Sequence, residues 1–192
     1  MSVAHSALLH ELSRADAPSV AAIVYPDEAF PDAAFRSLVD HCRARGLSLA
    51  GVLQHLVSAD ADRRCDVHLE DLNSGHRTAL FEDRGAGARG CRLDEAALAE
   101  ASARIEGVLE GGPDLLVLNK FGKAECEGRG LRDLIAIAID RGIPVIIGVP
   151  RRNLEAWRSF AGDFAVELAG ADGDIERWLG GFRFGAYASP GS

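Results

Sequence analysis

Leu115-Leu116-Val117-Leu118-Asn119-Lys120-Phe121-Gly122-Lys123-Ala124-Glu125-Cys126-Glu127-Gly128-Arg129-Gly130 is the stretch that decides how the chain reads. Four apolar residues, Leu115 to Leu118, run without a polar break into a loop of charge and glycine. A short, uniformly apolar run bounded by such a loop is the pattern of a strand buried on both faces of a sheet. In open α/β sheets, ligands sit in the crevice outside the carboxyl ends of the strands. The loop after Leu118 is therefore the first place to look for a site. Of the 21 Lys and Arg in the chain, only Lys120 and Lys123 are lysines. An ammonium is a compact point charge and a guanidinium a wide planar fork. Two lysines three residues apart at a strand end point to a place that wants the former.

Working outward, Val20 to Tyr25 reads as a first buried strand, followed by Pro26-Asp27-Glu28. Pro31 suits a first helical turn, and Phe35, Leu38, Val39 and Cys42 follow helical spacing up to Gly46. Leu47 to Val57 reads as the second strand. Cys65 to Leu72 alternates, Asn73-Ser74-Gly75 turns, and Arg77 to Phe81 returns, which predicts an antiparallel hairpin. Asp94 is placed to cap a helix with the stripe Ala97, Ala101, Ile105, Val108 and Leu109. Beyond the opening strand, Leu131 to Ile139 predicts a helix and Pro144 to Val149 a buried strand. Asn153 is expected to cap a helix carrying Leu154, Trp157 and Phe160. Phe164 to Leu168 reads as a last strand, and Asp174 as the cap of a final helix. The expected layout is a loose arm over 1–19, one α/β domain over 20–184 and a flexible tail over 185–192. Strands alternating with helices predict a three-layer α/β sandwich around a mostly parallel sheet, with the hairpin as its antiparallel part.

Bulk properties bound the function. A length of 192 residues fits one domain with a real core. The net charge of -8 argues against nonspecific binding to nucleic acid or to an anionic membrane surface. No apolar run approaches the roughly 20 residues of a membrane span. The N-terminus does not read as a signal peptide. Cys42, Cys65, Cys91 and Cys126 form no CxxC pair, which fits reduced thiols in a cytoplasm and gives no metal-ligand spacing. The six histidines are scattered and receive no role.

Three constellations could carry chemistry. Asn119, Lys120, Lys123 and Glu125 could hold a phosphate or another oxyanion, against a bland alternative of a solvated Lys-Glu pair. The loop 82–91 contains Gly85, Gly87 and Gly90 in GxGxxG spacing. It follows a hairpin strand rather than a parallel one, and its helix starts after the last glycine, so it is a poor dinucleotide fingerprint. It could still form a backbone nest for an anion, helped by Arg84, Arg89 and Arg92, or be a plain surface loop. Arg151-Arg152 sits at another strand end, but alone reads better as a solvated turn. Cys91, next to Arg92 near a helix start, is either a thiol of lowered pKa or a small buried hydrophobe.

The order of these pieces resembles the small P-loop nucleoside triphosphatases of the THEP1 type. The similar features are Asp71-Leu72-Asn73-Ser74-Gly75, the Gly-rich loop and the strand ending in Gly122-Lys123-Ala124-Glu125. The family's phosphate-binding GxxxxGK[ST] is absent after the first strand, where Tyr25-Pro26-Asp27-Glu28-Ala29-Phe30 stands. Its Asp-Glu pair is replaced by Asn119-Lys120. The closer resemblance is to the DUF2478 proteins, which look like P-loop-less relatives of that group. It rests on Asp83-Arg84-Gly85, Gly90-Cys91-Arg92-Leu93-Asp94, Asn119-Lys120-Phe121-Gly122-Lys123, Glu125, Glu127-Gly128-Arg129-Gly130 and the Trp157 helix. The resemblance implies a P-loop-NTPase-like sheet and a link to molybdenum metabolism.

The leading expectation is a binding protein for a small anion: a nucleotide, phosphate or a molybdate-like oxyanion, held by Lys120, Lys123, Arg84, Arg92 and Arg129. No cofactor motif is evident. One alternative is a divergent nucleotide hydrolase or transferase with Lys120 stabilising charge and Glu125 as base. Another is an oligomeric or regulatory partner protein with a vestigial site, and homo-oligomerisation stays open. Ordinary Mg-dependent ATPase or GTPase activity is not expected.

Overall fold

The computed structural model describes residues 19–27, 29–56, 67–81 and 92–184. Its strands are β1 (Val20–Tyr25), β2 (Leu49–Leu56), β3 (Val67–Asp71), β4 (Arg77–Ala79), β5 (Leu115–Leu118), β6 (Val145–Pro150) and β7 (Ala165–Leu168). Its helices are α1 (Asp32–Ala44), α2 (Glu95–Glu110), α3 (Lys123–Cys126), α4 (Arg132–Asp140), α5 (Leu154–Ala161) and α6 (Asp172–Leu179). The strands form one sheet in the order β4-β3-β2-β5-β6-β1-β7. The pairs from β2 to β7 are parallel, and β2-β3 and β3-β4 are antiparallel.

The uniformly apolar strands are buried on both faces because helices cover both. Leu116 and Leu118 of β5 point to one side, where they join Ile105 of α2, Leu134 of α4 and Trp157 of α5. Leu115 and Val117 point to the other, where they join Phe35 and Leu38 of α1 and Trp178 of α6. The result is a three-layer α/β fold, as the alternation of strands and helices predicts.

Local chemistry sets the element ends. The Asp94 carboxylate accepts from Ala97 N–H at 2.9 Å, so it is the expected N-cap of α2. The buried stripe of α2 is Leu98, Ala101, Ile105 and Leu109; it brings in Leu98 and leaves the predicted Ala97 and Val108 only partly buried. Asp71 Oδ1 accepts from Asn73 N–H and Ser74 N–H, and this makes the Asp-Leu-Asn-Ser-Gly stretch a self-capped turn.

Three expectations are corrected. Asn153 makes no cap bond; its amide donates to Phe121 O at 2.7 Å, tying the loop after β6 to the loop after β5. Asp174 lies inside the first turn of α6 and pairs with Arg177 at 2.9 Å. Phe164 sits outside β7, in a short 3-10 turn, and is exposed. The helical turn α3, directly after the opening strand, has too short an apolar pattern to be read from sequence. All but the last residue of the predicted arm over 1–19, the tail from residue 185 and the loop 82–91 lie outside the described residues.

Candidate functional site

Strands β5, β6 and β1 are adjacent and parallel, so their carboxyl ends lie side by side. The chain leaves β1 into α1 on one face of the sheet and leaves β6 into α5 on the other. Neighbouring strands whose connections depart to opposite faces open a crevice between them, the topological switch point of such folds.

Four side chains belong to these ends: Tyr25 closes β1 and Asp27 follows it, Lys120 follows β5 and Arg152 follows β6. The Arg152 backbone N–H donates to Asp27 Oδ1 at 2.8 Å. The Arg152 guanidinium donates to Asp27 O at 3.3 Å and lies 3.8 Å from Asp27 Oδ1. Lys120 is half-buried. Burial first, and the nearby Arg152 guanidinium second, push its pKa below the ordinary lysine value, while Glu125 and Asp27 oppose the shift. No carboxylate among the described residues forms an ion pair with Lys120, whereas Lys123 has one.

Tyr25 is 4% exposed, and its hydroxyl is buried with no hydrogen-bond partner among the described residues. Burial pushes the hydroxyl pKa up, and the charges of Arg152 and Asp27 act on it in opposite senses. Its ring stands edge-on to Phe30, which stacks on Phe35, so the hydroxyl is held in place by packing. Arg152 and Asp27 thus act on Lys120 and on Tyr25 alike.

The other predicted residues fall into distinct surroundings. Asn119 is buried, and its amide is clasped with that of Gln54: Gln54 N–H donates to Asn119 Oδ1 at 2.6 Å, and Asn119 Nδ2 donates to Gln54 Oε1 at 2.9 Å. Lys123 begins α3 with its side chain 89% exposed, 3.7 Å from Glu127. Arg129 pairs with Glu127 at 2.5 Å and with Glu95 at 2.7 Å. Lys123, Glu127, Arg129 and Glu95 therefore form an exposed, internally neutralised network. The two lysines have different neighbours, and the second cation beside Lys120 is Arg152.

Glu125 is buried and accepts from Gly122 N–H at 2.8 Å and from Leu131 N–H at 3.0 Å. A Cβ on Gly130 would lie 2.2 Å from Glu125 Oε1, so Gly122, Glu125 and Gly130 form one tightly closed turn. Arg92 is exposed just before the bridge between Phe81 and Leu93. Arg84, Gly85, Gly87, Gly90 and Cys91 lie outside the described residues.

Concavity and charge part company. A groove of about 360 Å³ runs between α2 and the turn before α4, lined by Leu98, Ala99, Ala103, Ala124, Glu106 and Arg129 among others. Its one cation on the described residues is already matched by Glu95 and Glu127, so it offers little to an anion. The strand-end crevice offers two cations and an orphaned hydroxyl. Among the described residues there is no group of three or more His, Cys, Asp or Glu able to hold a metal ion. No helix there is long and apolar enough to cross a membrane.

Sequence reasoning placed Lys120 at the site, but favoured a solvated turn for Arg152 and gave Asp27 and Tyr25 no role there. Their common signal was position, since each lies at or just past the carboxyl end of a predicted parallel strand. What it lacked was strand order, which sets β1 and β6 next to each other.

A family model described as "Protein of unknown function (DUF2478)" matches residues 20–178. The molybdenum import ATP-binding protein ModC 2 of Bradyrhizobium diazoefficiens is 34% identical over 168 residues, covering 88% of this chain and 19% of that protein. The chain thus spans about a fifth of the length of this curated relative. No solved structure gives a significant match.

Proposed function

This chain belongs to the DUF2478 family of proteins of unknown function, and we propose that it binds a small oxyanion at the carboxyl ends of β1, β5 and β6. The observation that carries the reading is that the loops bearing Lys120 and Arg152 are tied together at the switch point, the Asn153 amide donating to Phe121 O at 2.7 Å. Two like charges brought together and partly desolvated repel each other, and the nearby acids Glu125 and Asp27 offset only part of that. A bound anion relieves the rest.

The relative's name adds the chemical class. A protein named for molybdenum import contains a segment similar to this chain, which supports a molybdate-like oxyanion. A nucleotide phosphate offers the same oxygens and remains inside the proposal. Hydrolysis is a weaker reading, because Glu125, the expected base, is engaged by two backbone N–H groups. The missing GxxxxGK[ST] argues the same way.

The test is titration calorimetry with molybdate, tungstate, inorganic phosphate and ATP. A charge-assisted hydrogen bond contributes about 1.5–3 kcal/mol. Lys120→Ala and Arg152→Ala should each weaken the best ligand roughly ten-fold or more, since about 1.4 kcal/mol is a factor of ten. Lys123→Ala, removing an exposed side chain, should change affinity little. Unchanged affinity in both Lys120→Ala and Arg152→Ala would overturn the reading.

A pH profile adds a second check. Only protonated Lys120 attracts the anion, and its pKa lies below the ordinary lysine value. Molybdate affinity should therefore fall with rising pH at lower pH than an ordinary lysine would dictate. In Lys120→Ala that fall should be absent.

A further inference from the structure

One carboxylate already sits where an anion would. Asp27 Oδ1 takes the Arg152 backbone N–H at 2.8 Å and lies 3.8 Å from the guanidinium. Both partners are half-exposed at their side chains, so the contact is not locked in by burial, and exposed pairs of this kind contribute little to stability. Beside it, the Tyr25 hydroxyl is buried and has no hydrogen-bond partner among the described residues. The large majority of buried side-chain polar atoms in proteins find a partner, so an orphaned hydroxyl held by ring packing calls for an explanation.

The geometry points to Asp27 as a built-in stand-in for the ligand: an incoming tetrahedral oxyanion displaces the Asp27 carboxylate from Arg152, bridges Arg152 and Lys120, and accepts the hydrogen bond that the Tyr25 hydroxyl lacks. This rests on the oxyanion reading of the same crevice and deepens it. It names the ligand class, an anion with at least three acceptor oxygens in different directions, and it names the internal competitor. The Asp27 carboxylate is tethered to its backbone and presents two oxygens in one plane, whereas a free tetrahedral anion presents oxygens in four directions and can settle among Arg152, Lys120 and Tyr25. The Asp27 side chain follows β1 on an exposed turn and can rotate into water without disturbing the sheet.

The proposal predicts variants of opposite sign. Asp27→Asn keeps a carbonyl oxygen for the Arg152 N–H and removes the competing charge, so molybdate should bind about ten-fold more tightly. Tyr25→Phe removes only the hydroxyl, so molybdate should bind about ten-fold more weakly. The melting temperature of ligand-free Tyr25→Phe should stay the same or rise, because an unpartnered buried hydroxyl is lost. A purely structural Asp27 would instead give a lower melting temperature with no gain in affinity.

The chain has two tyrosines, Tyr25 and Tyr187. Uniform 3-fluorotyrosine labelling should therefore give two ¹⁹F resonances, of which the one missing in Tyr25→Phe should shift on adding molybdate. The inference stands only if both variants move affinity in the stated directions and that resonance shifts. If Lys120→Ala weakens binding while either variant fails to move, the exchange is wrong and the anion site stands. If the wild-type protein binds none of molybdate, tungstate, inorganic phosphate and ATP, both readings fall.

Discussion

Alanine at Gly51 should leave little folded protein. Gly51 lies within β2, hydrogen-bonded between neighbours on both sides, opposite Val117 of β5 and accepting from Leu72 N–H at 3.0 Å. Its φ is +111°, a region that side-chain-bearing residues rarely adopt. A Cβ built there would stand 1.9 Å from Val117 O and 2.8 Å from Val117 C. These are backbone atoms of a fully buried central strand, so no flexible side chain can give way. Either β2 shifts away from β5, breaking the sheet between the hairpin and the parallel strands, or the backbone changes conformation and loses the bond to Leu72. Strain and lost pairing together should cost on the order of 4 kcal/mol or more, out of a typical total of about 5–15 kcal/mol. Gly46→Ala is the control. Gly46 has a φ of +70° but nothing within reach of a Cβ, so only the left-handed penalty of roughly 1–2 kcal/mol applies. Denaturant midpoints compare the two directly. A Gly51→Ala midpoint no lower than that of Gly46→Ala would mean that β2 tolerates a different register against β5.

Gly51 also marks where sequence reading stops. The strand Leu47 to Val57 was legible from its apolar content, yet nothing in one sequence tells a glycine that touches a neighbouring backbone from one that merely loosens a turn. The same division runs through the site. Leu115 to Leu118 and Val20 to Tyr25 are read to the residue, because uniformly apolar runs have few other homes. Lys120 stands out because lysine is rare in this chain. Lys123 shares the rarity but not the environment: a turn held by Glu125 starts α3 at Lys123 and leaves its side chain to solvent beside Glu127. Arg152 is hidden among the many arginines, and Tyr25 among the apolar residues of β1. Their significance comes from β6 lying next to β1, a pairing across more than 120 residues of chain that local periodicity does not encode. The final-helix cap failed for a related reason, since Asp174 is equally suited to cap a helix or to pair with Arg177 inside one.

Glu125→Ala should lower stability by about 3–5 kcal/mol, while Glu125→Gln should cost roughly half as much. The wild-type carboxylate accepts from two backbone N–H groups, Gly122 at 2.8 Å and Leu131 at 3.0 Å, in a place where Glu125 and Leu131 are both buried. Alanine removes both acceptors, and each buried N–H left unsatisfied costs about 1–3 kcal/mol. Gln supplies one carbonyl oxygen and one NH₂, so it serves one N–H and presents a donor to the other. For a protein of this size, each kcal/mol corresponds to roughly 2–4 °C of melting temperature, so calorimetry separates the two variants. The functional consequence follows from the chain path. Gly122 comes two residues after Lys120, and the intervening Phe121 is packed against Trp157 and Phe160 at centroid distances of 5.2 and 5.9 Å. Loosening the turn frees the backbone that aims Lys120, so oxyanion affinity should fall in step with stability. A catalytic base makes the opposite prediction, with Glu125→Gln folding as well as the wild type and losing only its chemistry. A Glu125→Ala protein that melts like the wild type but no longer binds molybdate would move Glu125 from the scaffold to the ligand.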